Sequence, residues 1–357
     1  MPDLINQTPK GNEAIKKTIV LVVLLVAVLV CFLGGVAVGS SGLSFGESIA
    51  ALFGNGEATA IRIVQSIRLP RILAALISGA GLAVAGLMMQ TTLRNPMASP
   101  ATLGVSNAAV FGANLAIIGF AGGFLSTGHN VDNYTTGFNP FATSLIAFIF
   151  AVGAILVVLA LSKIKKYAPE TVVLCGIALG FLFTALTTIL QFYATDVGLS
   201  AAVIWTFGDL GRATFETDWI MLAVVGVGVI AFLLLQWRYN ALGLGEDVAS
   251  SLGVKVSLLR FFTLLAASMI TAVIVSFLGI IGFVGIIAPH AMRRIIGNNH
   301  RFLIPSSVLA GAVLVMLADI VSRAIGNGSA LPVGAITSLL GAPFFIYLIF
   351  TKKGDKA

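Results

Sequence analysis

Charged residues are scarce in this 357-residue sequence, making up 10% of it against 58% for hydrophobic residues, and the mean hydropathy is +1.04. Soluble domains are about 25% charged and about 45–50% apolar. A water-soluble fold of this length could not bury so much apolar surface. The composition therefore excludes a soluble enzyme, a nucleic-acid-binding protein and a disordered chain.

Residues that carry chemistry are also few. The two cysteines, Cys31 and Cys175, lie in different apolar runs and the three histidines are scattered, so nothing predicts a disulfide framework, a metal site or a redox motif. The sequence has no GxxxxGK[ST] nucleotide-binding loop. Of the 14 acidic residues, only Asp319 lies well inside an apolar run. Asp319 stands four residues before Arg323, which favours an ion pair over a proton relay.

Long apolar runs are abundant, and a helix of ~20 residues crosses the bilayer core. The sequence predicts an all-α polytopic membrane protein with about ten transmembrane helices in one domain, 18–351, between tails 1–17 and 352–357. The eighth run is the weakest, because Pro289 and His290 interrupt it. The candidate spans are Thr18–Val38, Ile72–Met89, Leu103–Phe120, Phe141–Leu161, Thr171–Phe192, Trp219–Trp237, Leu258–Phe277, Leu278–Ile296, Ile304–Ile325 and Leu331–Phe350.

The net charge of +7 indicates either an anionic partner or an orientation signal. Ten spans place both termini on one side of the membrane. If that side is the cytoplasm, 16 of the 21 Lys and Arg residues face it, 5 face outward and the loop Gly122–Asn139 is outside. Positive residues concentrate on cytoplasmic loops, so this distribution predicts cytoplasmic termini. It accounts for the charge without nucleic acid.

Two further segments have a recognisable pattern. Ser44–Phe53 has the pattern of a short amphipathic helix on the membrane surface. Small residues recur three and four apart in Ser78–Gly86, which predicts a flat helix face in the middle of the bundle.

The polar loop Tyr239–Val256, between the sixth and seventh spans, predicts a short helix. Glu246 and Asp247 would lie in its first turn, where acids suit the positive end of the helix dipole. Gly253 would follow its C-terminus in a left-handed conformation. The residues alone leave two interpretations open: a helix that merely connects two spans, or one that docks on a cytoplasmic partner.

Arg68 and Arg71 bracket Pro70 on the predicted outer side, where positive residues are disfavoured. Pro70 would begin the second span and set the direction of both arginines. Two interpretations stand: contact with an outer partner, or anchoring of helix ends at lipid headgroups.

Several stretches taken together resemble a known family. In order and spacing they resemble the permease family of iron–siderophore, haem and cobalamin ABC importers, over Ile61–Phe350. The stretches are Arg68–Arg71 (RLPR), Leu93–Ala98 (LRNPMA), Leu103–Asn107 (LGVSN), Gly245–Val254 (GEDVASSLGV), Gly282–Gly285 (GFVG), Ala288–His290 (APH), Ala318–Arg323 (ADIVSR) and Leu340–Phe345 (LGAPFF).

The resemblance implies the type II ABC importer permease fold in a bacterial cell membrane. It implies a second permease subunit, two cytoplasmic ATPase subunits that bind ATP and magnesium, an external substrate-binding protein, and no cofactor or catalysis in this chain. The expected cargo is a ferric siderophore, with haem or cobalamin as alternatives. An ion-coupled secondary transporter would need intramembrane acids, and an intramembrane enzyme would need a paired nucleophile and base. The sequence largely lacks the acids and shows no such pair.

The resemblance also assigns two sites. The outer arginines Arg68, Arg71 and Arg323, supported by Asp319, are expected to meet acidic residues of the substrate-binding protein. The polar loop is expected to couple to the ATPase through Gly243, Gly245, Glu246, Asp247, Ala249, Ser251, Leu252 and Gly253.

Overall fold

The computed structural model describes residues 11–39, 41–120, 140–325 and 330–350, which are helical and contain no β-strand. Residues 1–10, the loop Gly122–Asn139 and the tail 352–357 lie outside the described residues. The helices are α1 Gly11–Ala37, α2 Phe45–Leu52, α3 Ala58–Ile63, α4 Leu69–Thr92, α5 Val105–Asn114, α6 Pro140–Lys163, α7 Pro169–Phe192, α8 Asp196–Thr206, α9 Phe215–Leu234, α10 Gln236–Gly243, α11 Glu246–Ser251, α12 Val256–Leu278, α13 Val284–Ile296, α14 His300–Ile325 and α15 Val333–Phe350.

Each of the ten predicted spans contains a helix, which confirms an all-α multi-pass membrane protein. Seven described segments are long and apolar enough to cross a membrane. The third span is shorter: α5 and a π-helical continuation cover Val105–Phe120. The eighth is shorter still, because α13 has 13 residues, about 20 Å against a hydrocarbon core of ~30 Å.

The predicted interruption of the eighth span at Pro289 is wrong. Helix α13 runs through Pro289, and the break lies earlier, at Gly279–Phe283. Proline has no N–H to donate to the carbonyl four residues before it, here that of Gly285. That carbonyl accepts a hydrogen bond from Gln90 Nε2 at 3.0 Å instead. The neighbouring helix α4 thus satisfies the carbonyl that the proline leaves without a partner.

Pro70 lies in the first turn of α4, as predicted, but the helical backbone does not begin there. Helical backbone is continuous from Ala58 to Thr92, and a π-helical segment, Val64–Arg68, precedes Pro70. A π segment adds one residue to a helical turn, so the chain can pass a proline without ending the helix. The arginines on either side of Pro70 therefore belong to one long helical segment.

The small-residue helix α4 lies in the centre of the bundle, as predicted. In its most apolar window 89% of the residues are buried, and it packs against α1, α9, α12, α13 and α14. A Cβ atom on Gly79 would lie 2.3 Å from the Gly311 carbonyl oxygen, and one on Gly86 would lie 1.9 Å from that of Gly285. Only glycine allows these two backbone crossings.

Two helices lie at the periphery. Only 17% of the most apolar window of α1 is buried, and 22% of that of α7.

Helix α1 begins at Gly11 and not at Thr18, so the described part of the expected N-terminal tail is helical. Helix α2 forms where the amphipathic pattern predicted it. Its N-cap Ser44 and Glu47 exchange hydrogen bonds in a capping box.

Candidate functional site

Polar clusters lie at both ends of the central helix. Helix α4 has 24 residues and is about 36 Å long. Arg68 precedes its first residue, and Thr92 is its last. We call the two regions the Arg68 end and the Thr92 end. The polar loop between α9 and α12 belongs to the Thr92 end, because Arg260 of α12 bonds both the Thr92 carbonyl and a side chain of the loop.

The short helix predicted in this loop is present as α11, and glycines delimit it. Gly245 precedes it with φ +127°, and Gly253 follows it with φ +82°, both in the region that favours glycine. At the C-terminus the Gly253 N–H donates to the Ser250 carbonyl and the Val254 N–H to the Ala249 carbonyl, each at 3.0 Å. This is the Schellman arrangement. The backbone of α11 therefore has sharply defined ends.

Two of the residues expected to couple to the ATPase, Ala249 and Leu252, do not face outward. Ala249 is fully buried and Leu252 packs partly buried against the core, so both face the permease itself. The exposed apolar side chains are Val248, 42% exposed, and Leu244, 57% exposed. Sequence reasoning missed these two because nothing in the pattern shows which side of so short a helix is covered. The other predicted residues exposed here are Gly243, Asp247, Ser251 and Gly253.

Arg260 holds α11 to the bundle. Its side chain is 3% exposed. Its Nη2 donates to Glu246 Oε1 at 2.7 Å, Nη1 to the Tyr167 carbonyl at 2.9 Å, and Nε to the Thr92 carbonyl at 3.2 Å. Glu246 therefore serves as an anchor as well as an N-terminal acid. No local pattern pointed to Arg260, because two of its three partners are far away in the chain.

A second polar network lies close by. The His300 Nδ1–H donates to Asn240 Oδ1 at 2.9 Å, and Nε2 of the same ring lies 3.0 Å from Thr91 Oγ1. The buried Tyr239 hydroxyl lies 2.9 Å from Thr263 Oγ1. These contacts fix α10, which leads into α11, against α4, α12 and α14. The loop is thus supported on both sides.

A cavity of about 780 Å³ opens beside α11. Its walls come from the Leu93–Asn95 turn after α4, the first turns of α7 and Glu246. Arg94, in this wall, has a left-handed backbone with φ +49°. Val248, Leu244 and this cavity lie at the same end of the bundle.

At the opposite end, Arg68 is buried, with 4% of its surface exposed. Its Nη1 donates to the carbonyls of Val36 and Ala37 at 2.8 and 2.7 Å and to Ser48 Oγ at 3.2 Å, and its Nη2 donates to Ser41 Oγ. The carbonyls at a helix C-terminus lack partners and carry partial negative charge. Arg68 satisfies two of them and fastens the end of α1.

Asp319 joins the other two arginines. Its side chain is fully buried; Oδ1 lies 2.7 Å from Arg71 Nε and Oδ2 lies 2.8 Å from Arg323 Nη2. Arg323 Nη1 also donates to the Val38 carbonyl. The predicted Asp319–Arg323 ion pair is therefore present, and it extends to Arg71. Asp209 adds a weaker contact, 3.8 Å from Arg71 Nη1.

The three arginines predicted to face a partner thus point largely into the bundle. The side chains of Arg71 and Arg323 are 12% and 9% exposed. Burial among carbonyls and carboxylates explains why positive residues occur at this end: they pair with groups of the protein itself. Contact of these residues with a substrate-binding protein stays a prediction.

The fold and these sites define a class: a helical multi-pass membrane protein with a glycine-bounded helix at one end. Residues 23–351 match the FecCD transport family. The chain belongs to this family.

Known proteins similar to the chain are transporter permeases. An ABC transporter permease protein of Methanocaldococcus jannaschii is 47% identical, over 94% of this chain and 95% of that protein. The iron(3+)-hydroxamate import permease FhuG of Bacillus subtilis is 33% identical, over 94% and 97%. The vitamin B12 import permease BtuC of Shigella sonnei is 36% identical, over 80% and 83%.

A solved structure agrees with the fold. It shows an inward-facing conformation of a metal-chelate type ABC transporter, with a TM-score of 0.78 at 29% identity, over 94% of this chain and 99% of that chain. The chain therefore has the type II ABC importer permease fold and is an ABC transporter permease.

Proposed function

We propose that this chain is the membrane subunit of an importer for ferric siderophores, driven by ATP hydrolysis in partner subunits. The observation that carries the proposal is the geometry of α11. Two glycines delimit it and Arg260 bonds it to the bundle, while Val248 and Leu244 remain exposed at the same end as a cavity of about 780 Å³. A fixed helix with unburied apolar side chains suits docking onto another protein.

The ATPase subunits are the proposed partners of α11. They bind ATP and magnesium, and a second permease subunit completes the assembly. In this arrangement the Thr92 end faces the cytoplasm, as do both termini. ATP-dependent closure of the partners shifts the population of permease conformations through this contact.

The cargo path is proposed to run along α7. Its apolar surface is mostly exposed, yet it carries polar residues at membrane depth: Thr184 and Thr188 are exposed. Asn107 Nδ2 donates to Thr184 Oγ1 at 2.9 Å, and Gln191 Nε2 donates to Asn114 Oδ1 at 3.0 Å. Polar groups are expensive against lipid and typically line aqueous paths. A second permease subunit facing α7 would enclose such a path.

The Arg68 end is proposed to receive an external substrate-binding protein. Because Arg68, Arg71 and Arg323 are nearly buried, they act there chiefly by holding the ends of α1, α4 and α14 in position. A ferric siderophore is preferred as cargo since the hydroxamate permease matches nearly the whole chain. Cobalamin or haem would use the same arrangement.

Docking is tested by co-purification of the ATPase subunits with the permease. Val248→Asp places a charge in an apolar contact, so the ATPase subunits should be lost from the complex; unpaired interface charges cost about 2–5 kcal/mol. Phe53→Asp makes the same kind of change at an exposed residue of the Arg68 end and should leave co-purification intact. Unchanged recovery of ATPase with Val248→Asp would refute the docking role.

Orientation is tested by labelling single cysteines after replacing Cys31 and Cys175. Asp247→Cys and Glu57→Cys introduce thiols at exposed positions of opposite ends. An impermeant thiol reagent added to intact cells should label only Glu57→Cys. Labelling of Asp247→Cys alone would invert the proposed topology.

A further inference from the structure

One buried guanidinium connects three segments that the chain keeps far apart. Arg260 bonds the last residue of α4, the turn before α7 and the first turn of α11, at 3.2, 2.9 and 2.7 Å. Each of its three nitrogens has an acceptor, and two of these are main-chain carbonyls. The planar arrangement of donors in arginine suits such a junction, which a lysine could not reproduce.

The three segments have different roles in the proposed importer. Helix α11 is the contact with the ATPase, α4 is the centre of the bundle, and the turn at Tyr167 leads directly into α7 with its polar face. Glu246 is the member that reaches the surface, with 41% of its side chain exposed, whereas Arg260 is 3% exposed. A displacement of α11 therefore acts first on the Glu246–Arg260 bond.

The turn before α7 is held in an unfavourable backbone conformation. Lys166 and Tyr167 both have positive φ, +51° and +59°, which costs energy for residues with a Cβ atom. The Arg260 bond to the Tyr167 carbonyl and the contact between the Tyr167 and Phe261 rings, 5.6 Å between centroids, hold it there. Such a turn can respond when the bond is displaced, because its conformation depends on these contacts.

We propose that Arg260 is the positioning residue that transmits movement of α11 to α7. This inference rests on the proposed function. It connects the proposed ATPase contact at α11 with the proposed cargo path along α7. Separating Glu246 from Arg260 would leave a buried cation with a poorer set of partners. The low-energy response to a shift of α11 is that the guanidinium and the Tyr167 turn move with it.

The test measures an ATP-dependent change at α7 in the complete complex. In a background without Cys31 and Cys175, Thr188→Cys places a thiol on the polar face of α7. Its rate of labelling by a small charged maleimide is compared with and without ATP and vanadate. Arg260→Lys keeps the charge, Glu246→Gln keeps the shape of the carboxyl group, and Arg301→Lys is the control at an exposed arginine of the Thr92 end.

In Arg260→Lys complexes purified with their ATPase subunits, we expect the labelling ratio with and without ATP to fall to unity. Glu246→Gln should lower the ratio partway, and adding it to Arg260→Lys should have no further effect. Arg301→Lys should match the parent. A parental ratio in Arg260→Lys would overturn the inference. If Arg260→Lys fails to fold, a parental ratio in Glu246→Gln would overturn it. Loss of ATPase co-purification from the parent itself would instead refute the proposed function.

Discussion

Replacing Asp319 by asparagine should destabilise the permease more than any other single charge removal at the Arg68 end. Asp319 is fully buried and pairs with Arg71 and Arg323 at 2.7 and 2.8 Å. Asparagine retains the size of the side chain but leaves both guanidinium groups without their charged partner. Breaking one buried ion pair costs about 3–5 kcal/mol, so we expect at least this loss in the free energy of unfolding.

Asp209 provides the matched control for this prediction. It approaches the same Arg71 but at 3.8 Å, and its side chain is 44% exposed. Exposed pairs contribute at most about 1 kcal/mol, so Asp209→Asn should change stability little. Thermal unfolding of both variants in detergent, followed by loss of monodisperse protein, compares them directly. Equal losses for the two variants would refute the assignment of Asp319 as the buried centre of the cluster.

Two further predictions concern packing and pH. Gly86→Ala should lower the free energy of unfolding by about 1–3 kcal/mol, because its Cβ would lie 1.9 Å from the Gly285 carbonyl oxygen. The control is Gly226→Ala, whose Cβ would meet no atom within 4 Å; it should leave the free energy of unfolding unchanged or raise it by up to about 1 kcal/mol. Thermal unfolding measures both. Tyr239→Phe should lower stability at neutral pH by about 1 kcal/mol, through loss of the 2.9 Å bond to Thr263. Burial raises the pKa of Tyr239 from 10.0 to about 12. The advantage of wild type over Tyr239→Phe should therefore be full below pH 10 and disappear as the pH rises through 12. A difference in melting temperature that is constant to pH 12 would contradict it.

The sequence predicts most of the fold because membrane spans are encoded locally. Apolar length identified a helix in all ten places, and the spacing of small residues located the central helix. The continuation of α13 through Pro289 was not predictable, since it depends on a partner from elsewhere in the chain. The Gly285 carbonyl that Pro289 leaves free is satisfied by Gln90, and no local pattern contains that information.

The candidate sites likewise have features that local sequence predicts and features that depend on distant parts of the chain. The limits of α11 follow from Glu246 and Gly253, whose preferences are local. The orientation of α11 does not follow from local preferences. Ala249 and Val248 are both apolar, and only the packing of the bundle decides that Ala249 is covered and Val248 is exposed. The outer arginines show the same limit. The sequence predicts that they lie on the outer side, where positive residues are disfavoured. Their burial was not predictable, because their partners are carbonyls of α1 and a carboxylate of α14.

The most direct test of the whole account is ATP-driven uptake of a ferric hydroxamate into proteoliposomes that contain the permease with its ATPase subunits and binding protein. We predict accumulation that requires ATP on the side of the Thr92 end and continues in the presence of a protonophore while ATP is held constant. Uptake that a protonophore abolishes at constant ATP, or that proceeds without the ATPase subunits, would contradict the account and favour an ion-coupled transporter.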